Sequence, residues 1–561
     1  MFIDELTIKN VRCFSSNSMP LKFNVPDGHT SGSGLNIFVG ENGTGKTTVL
    51  DALSYLTESP YALQNKLSVF DFGPNATEIT VTATMDRKFD YKMPDTYRGC
   101  YFVCNGIAIN IKLRKQKSRG RLLSPALATS RNVISTDDSY RNKEGEQKNK
   151  IEEYHKIFDE GRLSTEEINV FYFDKNRARQ ISKGLFRTTF ERIADDLNWK
   201  FRKSLSDDPD KDEELLGGLA NQYFTSVLDI AQKGVGSKIA KQTKKFFSED
   251  VYNNIKVDLF NLLWPFSNSF FALRDQGLAQ IPVAKLGSGV EMIFTLFLLK
   301  SLSGQSKDST IYLIDEPELS LYPQAQRKLL ALLLEESKSK QVFISTHSSY
   351  FTDPNSISNI FRFQKDNSTG IKVLPEIGGT ASFDLKENRN FFFRHRDLFF
   401  TNTAIFVEGI EDYNRYSSFC ENNDLGDIPG HLYMMNGCGP TFFFEKFCGR
   451  FGIKFFAIVD IDFLEKIPDA LKELEAANAF NQNDKDSNRK QWYRDNLGKI
   501  RNIYEKYRSD LKSRGIFVMP SSDVKDIISD CGKVVGDYDL KNTLICMFSS
   551  MRDSVLGGSS Y

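Results

Sequence analysis

The sequence has 561 residues, room for three or four domains at roughly 150 residues each, and enough to bury several cores without disulfides. Lysine and arginine total 73, as do aspartate and glutamate, so the formal net charge is zero; this excludes a protein that binds nucleic acid through bulk positive charge and leaves only local basic patches. Hydrophobic residues at 40% and charged residues at 26% exclude disorder as the dominant state.

Phe2 to Phe14 alternates loosely between apolar and polar residues and predicts a half-buried strand. Leu35 to Val39 is a short apolar run, a buried strand that feeds a glycine-rich turn, and Thr47 to Leu56 has a helical pattern. Ile79–Met85 and Tyr101–Ile111 read as strands of an antiparallel lobe. Residues 112–121 carry six basic side chains and no acid, a loop suited to nucleic acid or a partner, and the polar stretch to about residue 150 reads as a further loop. A helical insertion follows at 186–260. Helix 289–302, strand 310–314, helix 323–336 and strand 341–345 then alternate as a parallel α/β sheet requires. A polar linker near 378–395 leads to a second α/β block with strands Thr403–Val407, His431–Met435, Lys454–Val459 and Gly515–Met519, and a helical insertion at 463–513. The division expected is 1–185, 186–260, 261–395 and 396–561.

The eight cysteines show no repeated spacing beyond a lone C-x-x-x-C at Cys100 and Cys104, and Asp4 and Glu5 interrupt the N-terminus at once. Both point to reduced thiols in a cytoplasm. The longest apolar stretch near the chain centre is broken by Thr295 and ends at Lys300, short of the about 20 residues a bilayer demands, so no membrane span is expected.

Gly40-Glu41-Asn42-Gly43-Thr44-Gly45-Lys46-Thr47 fits G-x-x-x-x-G-K-S/T in full, between a buried strand and a helix. Gly40, Gly43 and Gly45 let backbone N–H groups turn inward on phosphate oxygens at a helix N-terminus, with Asn42 and Thr48 in the same cradle. Lys46 reaches the β- and γ-phosphates of ATP and the Thr47 hydroxyl ligates Mg²⁺. The apolar strand Ile311–Ile314 ends in Asp315-Glu316, where Asp315 holds Mg²⁺ through water and Glu316 polarises the attacking water. Leu286-Gly287-Ser288-Gly289 opens a helix as a second glycine-rich N-terminus, and Ser345-Thr346-His347-Ser348 follows a strand.

Those four motifs, in that order, resemble the ABC-type ATPase heads of the repair and recombination kind, RecF and the overcoming-lysogenization-defect (OLD) proteins among them. The resemblance implies an α/β P-loop ATPase head with a helical dimerisation insertion. It also implies that two heads sandwich ATP, with Ser288 and Gly289 of one capping the nucleotide of the other. His347 is implied as a γ-phosphate contact and Glu318 to Pro323 as a subunit-spanning loop; the lid-loop glutamine is not identified by any motif, Gln64 being a candidate. The sequence departs from the family at Gly287, where the signature has serine, and at Tyr322, where relatives carry histidine.

In the second block, strand Ala404–Val407 ends in Glu408-Gly409, with Asp412 four residues on; if a helix starts at Gly409 or Ile410, Glu408 and Asp412 converge at its N-terminus. Strand Phe455–Val459 ends in Asp460-Ile461-Asp462, and alternation in an extended stretch places both aspartates on one side. Four carboxylates at strand ends repel one another without a counter-ion, and hard oxygen donors suit Mg²⁺ or Mn²⁺. Together with Asn436-Gly437-Cys438-Gly439-Pro440, these residues resemble a Toprim domain as found in OLD nucleases, and Phe399-Phe400 resembles the strand leading into it. The resemblance implies a two-metal phosphodiesterase centre with Glu408 and Asp460 as catalytic acids, a later acid at Asp523 or Asp526, and Lys525 stabilising charge. It implies nucleic acid as substrate, DNA first, and antiviral defence with a partner protein or a nucleic-acid element. From Arg489 to Arg514 nine basic and three acidic residues interleave with Trp492, Tyr493, Tyr504 and Tyr507. This suits either a nucleic-acid surface or a solvated helix packing its aromatics inward.

Overall fold

The computed structural model describes residues 1–58, 67–92, 101–114, 126–135, 168–174, 237–246, 309–366, 370–375, 389–426, 428–476 and 496–519, with short pieces between. The chain divides into two compact units, Met1–Phe351 with Ser356–Gly379, and Thr352–Asn355 with Thr380–Tyr561.

The first unit is built on a six-stranded sheet in the spatial order Ile168–Phe173, Ser309–Asp315, Gln341–Ser345, Leu35–Gly40, Ile360–Asp366 and Gly370–Leu374. The first five strands are parallel and the last is antiparallel. Leu35–Gly40, Ser309–Asp315 and Gln341–Ser345 are buried at every residue, which is why their middles read as apolar runs. Asn36, a polar residue within the first, is satisfied: its Nδ2 donates to the Asn24 carbonyl at 3.1 Å and its Oδ1 accepts from the Asn24 N–H at 2.8 Å. An antiparallel sheet of Ile3–Lys9, Glu78–Lys92, Tyr101–Arg114 and Ala126–Ser135 shares one hydrophobic core with the parallel sheet, Ile8, Val81 and Ile109 joining Phe38, Leu313 and Phe343. Phe23 and Phe343 meet edge-on within it at 4.9 Å.

The second unit has four parallel strands in the order Leu432–Met434, Thr403–Val407, Lys454–Val459 and Ile516–Val518. Phenylalanines cover one face: Phe406 stacks on Phe444 at 4.7 Å, and Phe444 meets Phe391 at 4.2 Å. Parallel strands bring their carboxyl ends to one edge, and Glu408 and Asp460 emerge there from neighbouring strands.

Several expectations are corrected. The polar stretch after residue 121 contains strand Ala126–Ser135, paired along its length with Tyr101–Arg114. Its polar residues Thr129 to Asn132 form one run between Leu127 and the Val133-Ile134 pair, a composition a strand tolerates. The basic run 112–121 forms the end of this hairpin, with a short ladder joining Lys117–Ser118 to Arg121–Leu122, and Lys112 pairs with Glu78 at 3.3 Å. The polar linker to 395 ends in a helix, Arg389–Arg394, because Phe391 and Phe392 bury themselves despite polar neighbours. Phe399-Phe400 lies in a 3₁₀ turn, Arg396–Phe400, rather than a strand. The chain also does not stay extended after Asp460, which caps a 3₁₀ turn, Ile461–Lys466. Of the helical insertion expected at 186–260, helix Ser237–Phe246 lies within the described residues. No helix among the described residues is long and apolar enough to cross a membrane.

Candidate functional site

The phosphate loop leaves the sheet where the chain has no room for a side chain. At Gly40, with φ 135°, a Cβ would sit 2.3 Å from the Phe363 carbonyl oxygen. Gly45, with φ 90°, caps helix Lys46–Tyr55, and a Cβ there would stand 2.8 Å from the Phe14 ring. Asn42 and Gly43 are exposed at the loop tip, while Lys46 is buried and donates through Nζ to the carbonyls of Gly40 at 2.9 Å and Glu41 at 2.7 Å. The Thr47 hydroxyl donates to Asp315 Oδ1 at 3.1 Å, joining the loop to the acid at the end of Ser309–Asp315. That pairing sets an Mg²⁺-type donor pair beside the loop. Thr48 is buried. Glu316 is held in the left-handed region at φ 46°, with its N–H on the Ser345 carbonyl at 2.8 Å. A non-glycine residue there is a strained conformation of the kind that collects at functional sites.

Strand Gln341–Ser345 lies between the phosphate-loop strand and the Asp315 strand, so His347 emerges at the same edge as both. Glu318 ties the two loops together: Oε1 accepts from the His347 N–H at 2.6 Å and Oε2 from the Thr346 hydroxyl at 2.8 Å. Burial pushes the Glu318 carboxyl up, and these hydrogen bonds pull it back. Of the signature residues, Gly289 is buried in a helix and Ser288 lies outside the described residues, as does Gln64. Composition gave no sign of Arg12, which has φ 48° and ties the phosphate-loop helix, through Asp51 at 2.7 Å, to the turn Val69–Asp71, through Asp71 at 2.8 Å.

In the second unit Glu408 Oε1 accepts from the Asp460 N–H at 2.7 Å, locking two strand ends together. Helix Ile410–Glu421 starts where expected, and Asp412 Oδ2 accepts from the Gly409 N–H at 3.1 Å as its cap. Donor atoms of Glu408, Asp462 and Cys438 all lie within 4.8 Å of one another. The structure therefore brings Glu408 and Asp462 together, places Asp460 beside Glu408 through its backbone, and uses Asp412 at the helix start. Asp523, Lys525 and Asp526 lie outside the described residues. Burial, and then the charges of Asp462 and Asp412, push the Glu408 carboxyl up to about 7. Two half-buried acids brought this close fit a divalent cation, whose charge removes that cost. Cys438 is the member the sequence did not announce: a single cysteine in a glycine-rich turn carries no spacing signal.

Helix Leu497–Ser513 carries part of the basic stretch expected to face nucleic acid. Lys506 and the Tyr507 hydroxyl both engage Glu473, at 2.5 Å and 3.2 Å, and Arg514 makes two hydrogen bonds to Glu445, at 2.8 Å and 2.6 Å. Arg501 and Lys512 are exposed, and Trp492 and Tyr493 lie outside the described residues.

A P-loop joined to a strand-end aspartate across a parallel sheet, with an intervening strand that delivers a histidine, defines an ABC-type ATPase head. Residues 35–353 match the family model described as "AAA domain, putative AbiEii toxin, Type IV TA system", and the chain belongs to that family. Its head is of the OLD type that the motifs resemble. The chain is 27% identical over 188 residues to an OLD nuclease of Thermus scotoductus, covering 31% of this chain and 35% of that one. It is 26% identical over 219 residues to the Old nuclease of Escherichia phage P2, covering 35% of this chain and 36% of that one. The matched stretch thus spans about a third of each relative's length. Among solved structures, an SMC head bound to the C-winged helix domain of ScpA covers 67% of this chain and 97% of its own, at 14% identity and a TM-score of 0.39.

Proposed function

We propose that the chain is an ATP-binding and ATP-hydrolysing, divalent-metal-dependent endonuclease of the OLD family, cutting DNA as the effector of an antiviral defence system. The observation that carries the reading is the meeting of Glu408 and Asp462 at the carboxyl edge of a parallel sheet, in a chain that also has a complete phosphate loop.

At the nucleotide site, Lys46 exchanges its two loop carbonyls for phosphate oxygens, Thr47 and Asp315 hold Mg²⁺, and Glu316 orients the attacking water. His347 contacts the γ-phosphate, its loop positioned by Glu318. Leu319 and Tyr322 expose large apolar side chains on the Glu318–Pro323 loop, which supports pairing of two heads with Ser288 and Gly289 closing on the partner's nucleotide. At the second site Glu408 and Asp462 hold a divalent ion, with Asp460 and Asp412 adding charge nearby. A bound Mg²⁺ or Mn²⁺ supplies water activation and neutralises the leaving phosphate oxygen. Asp523 or Asp526 completes the acid set and Lys525 stabilises developing charge. The basic ends of the 101–135 hairpin and of helix Leu497–Ser513 bear on the nucleic-acid backbone.

Asp460→Ala abolishes Mg²⁺- or Mn²⁺-dependent DNA cleavage and leaves ATP hydrolysis intact; cleavage by that variant at the wild-type rate rejects the reading. Lys46→Ala loses nucleotide binding, and retained ATP turnover would move the site elsewhere. A second reading, a nucleotide-gated scaffold without phosphodiesterase chemistry, is favoured by one observation: Asp412 serves as a helix cap, and two acids rather than four converge among the described residues. Absence of cleavage on both DNA and RNA, at every nucleotide state, selects it.

A further inference from the structure

Cys438 sits in the carboxylate centre for a backbone reason. The turn after strand Leu432–Met434 passes through two left-handed residues, Asn436 at φ 61° and Gly437 at φ 97°. It is pinned to the strand beside it: the Met435 N–H donates to the Val407 carbonyl at 2.8 Å, and the Gly437 N–H to the Glu408 carbonyl at 2.8 Å. Each bond lies within a residue or two of a donor in the centre, so the register between Glu408 and Cys438 is set by main chain. Helix Thr441–Arg450 closes the turn, with the Thr441 hydroxyl on the Cys438 carbonyl at 2.6 Å. The thiol is buried, and its sulfur stays within 4.8 Å of a carboxylate oxygen on both Glu408 and Asp462.

A second observation comes from helix Ile410–Glu421. The Tyr416 hydroxyl is buried without a hydrogen-bond partner among the described residues, and the charges of Asp460, Asp412 and Glu408 act on it. A buried hydroxyl in the field of three carboxylates has room to hydrogen-bond a water that accompanies an ion at this edge.

We propose that Cys438 is the third protein donor of the Glu408–Asp462 centre, which makes that centre a mixed oxygen–sulfur site that selects thiophilic divalent cations, Cd²⁺ and Zn²⁺ above Mn²⁺ and Mn²⁺ above Mg²⁺. The proposal rests on the metal-centre reading above and adds the identity of the ion the site prefers. Donors bound to one ion at about 2.0–2.6 Å lie within about 5 Å of one another, and the three side chains meet that condition. On binding, the Cys438 S–H bond breaks, a sulfur–metal bond forms, and the proton passes to solvent; no electron is transferred. Two carboxylates alone do not strongly discriminate among hard divalent ions, whereas one thiolate shifts the order toward soft ones.

The test is a Cd²⁺ titration of the full-length, nucleotide-free protein, read by the ultraviolet sulfur-to-cadmium charge-transfer absorption. One equivalent of Cd²⁺ produces the band in the wild type, and millimolar Mn²⁺ shifts the Cd²⁺ titration to higher concentrations. Cys438→Ser lacks the band and binds Cd²⁺ about a hundredfold more weakly, with Mg²⁺ affinity changed by less than about threefold. Cys420→Ser keeps the band. Glu408→Gln and Asp462→Asn each retain the thiol and weaken Cd²⁺ binding by about tenfold or more, which keeps the proposal testable if the serine variant misfolds. A band that persists in Cys438→Ser, indifference to Mn²⁺, or unchanged Cd²⁺ affinity in both carboxylate variants overturns it. Because the readout is an absorption and not cleavage, a missing band with Mn²⁺-dependent cleavage intact rejects only the sulfur donor. A Mn²⁺-competed band in a chain that cuts nothing upholds the donor and rejects the nuclease.

Discussion

At the scale of single residues, Glu408 is where sequence, geometry and electrostatics meet. Burial and the neighbouring Asp462 and Asp412 push its carboxyl up to about 7. A group whose folded value is raised contributes stability at low pH that is lost as pH rises. Here the loss runs from about pH 4.5, where the unfolded chain ionises, to about pH 7, and amounts to roughly 1–3 kcal/mol in the cation-free protein. Glu408→Gln keeps an oxygen for the Asp460 N–H and removes the charge. In chelator the variant therefore melts above the wild type near about pH 8 and level with it near about pH 4.5, and added Mn²⁺ reverses the order at the higher pH. Thermal melts at the two pH values check it; parallel curves would show that Glu408 is not under charge stress. Gly40 makes a simpler case. Its backbone and the Phe363 carbonyl leave no room for a methyl group, so Gly40→Ala costs about 2–4 kcal/mol in denaturant unfolding. A loss below about 1 kcal/mol would mean that the loop relaxes freely.

At the scale of elements, the loops at the carboxyl edge of the six-stranded sheet act in pairs. Glu318 holds the Thr346-His347 turn by two hydrogen bonds from one buried carboxylate. Glu318→Ala leaves the His347 N–H without that acceptor, so amide exchange at residues 346–348 speeds by about tenfold or more while the global melt falls by a few degrees. ATP turnover falls with it. Unchanged exchange with lost turnover would place Glu318 in the chemistry instead. The same elements show what a sequence can disclose. Strands 403–407 and 454–459 were readable to the residue, because wholly or largely apolar runs stop abruptly at acids where a parallel sheet meets solvent. The phosphate loop was readable because everything it needs lies within eight consecutive residues. Strand 126–135 was hidden, since Ser, Thr and Asn suit a loop and a half-exposed strand alike and only pairing with 101–114 decides between them. Helix 389–394 was hidden by polar neighbours around two phenylalanines whose burial is tertiary. Cys438 and Glu318 were hidden in a stronger sense. Each acts on partners about 30 residues away, through a register fixed by strand order and invisible to local spacing.

At the scale of the whole molecule, each candidate site draws its described donors from one compact unit. Lys46, Thr47, Asp315, Glu316 and His347 lie in the first, and Glu408, Asp412, Cys438, Asp460 and Asp462 in the second. No described ligand is shared, so binding at either site can be removed without dismantling the other. A ligand that binds only the native state stabilises it by about 2.7 kcal/mol at a hundredfold excess over its dissociation constant, which gives each site its own thermal signature. Lys46→Ala should abolish the melting shift produced by ATP with Mg²⁺ and keep the shift produced by Mn²⁺ without nucleotide. Glu408→Gln with Asp462→Asn should do the reverse. If the unfolding shows two transitions, each ligand moves a different one, because two units with separate cores need not melt together. Loss of both shifts in either variant would mean that the two sites form cooperatively, and a nucleotide-free Mn²⁺ shift that disappears with Lys46 would place the tight cation at the phosphate loop.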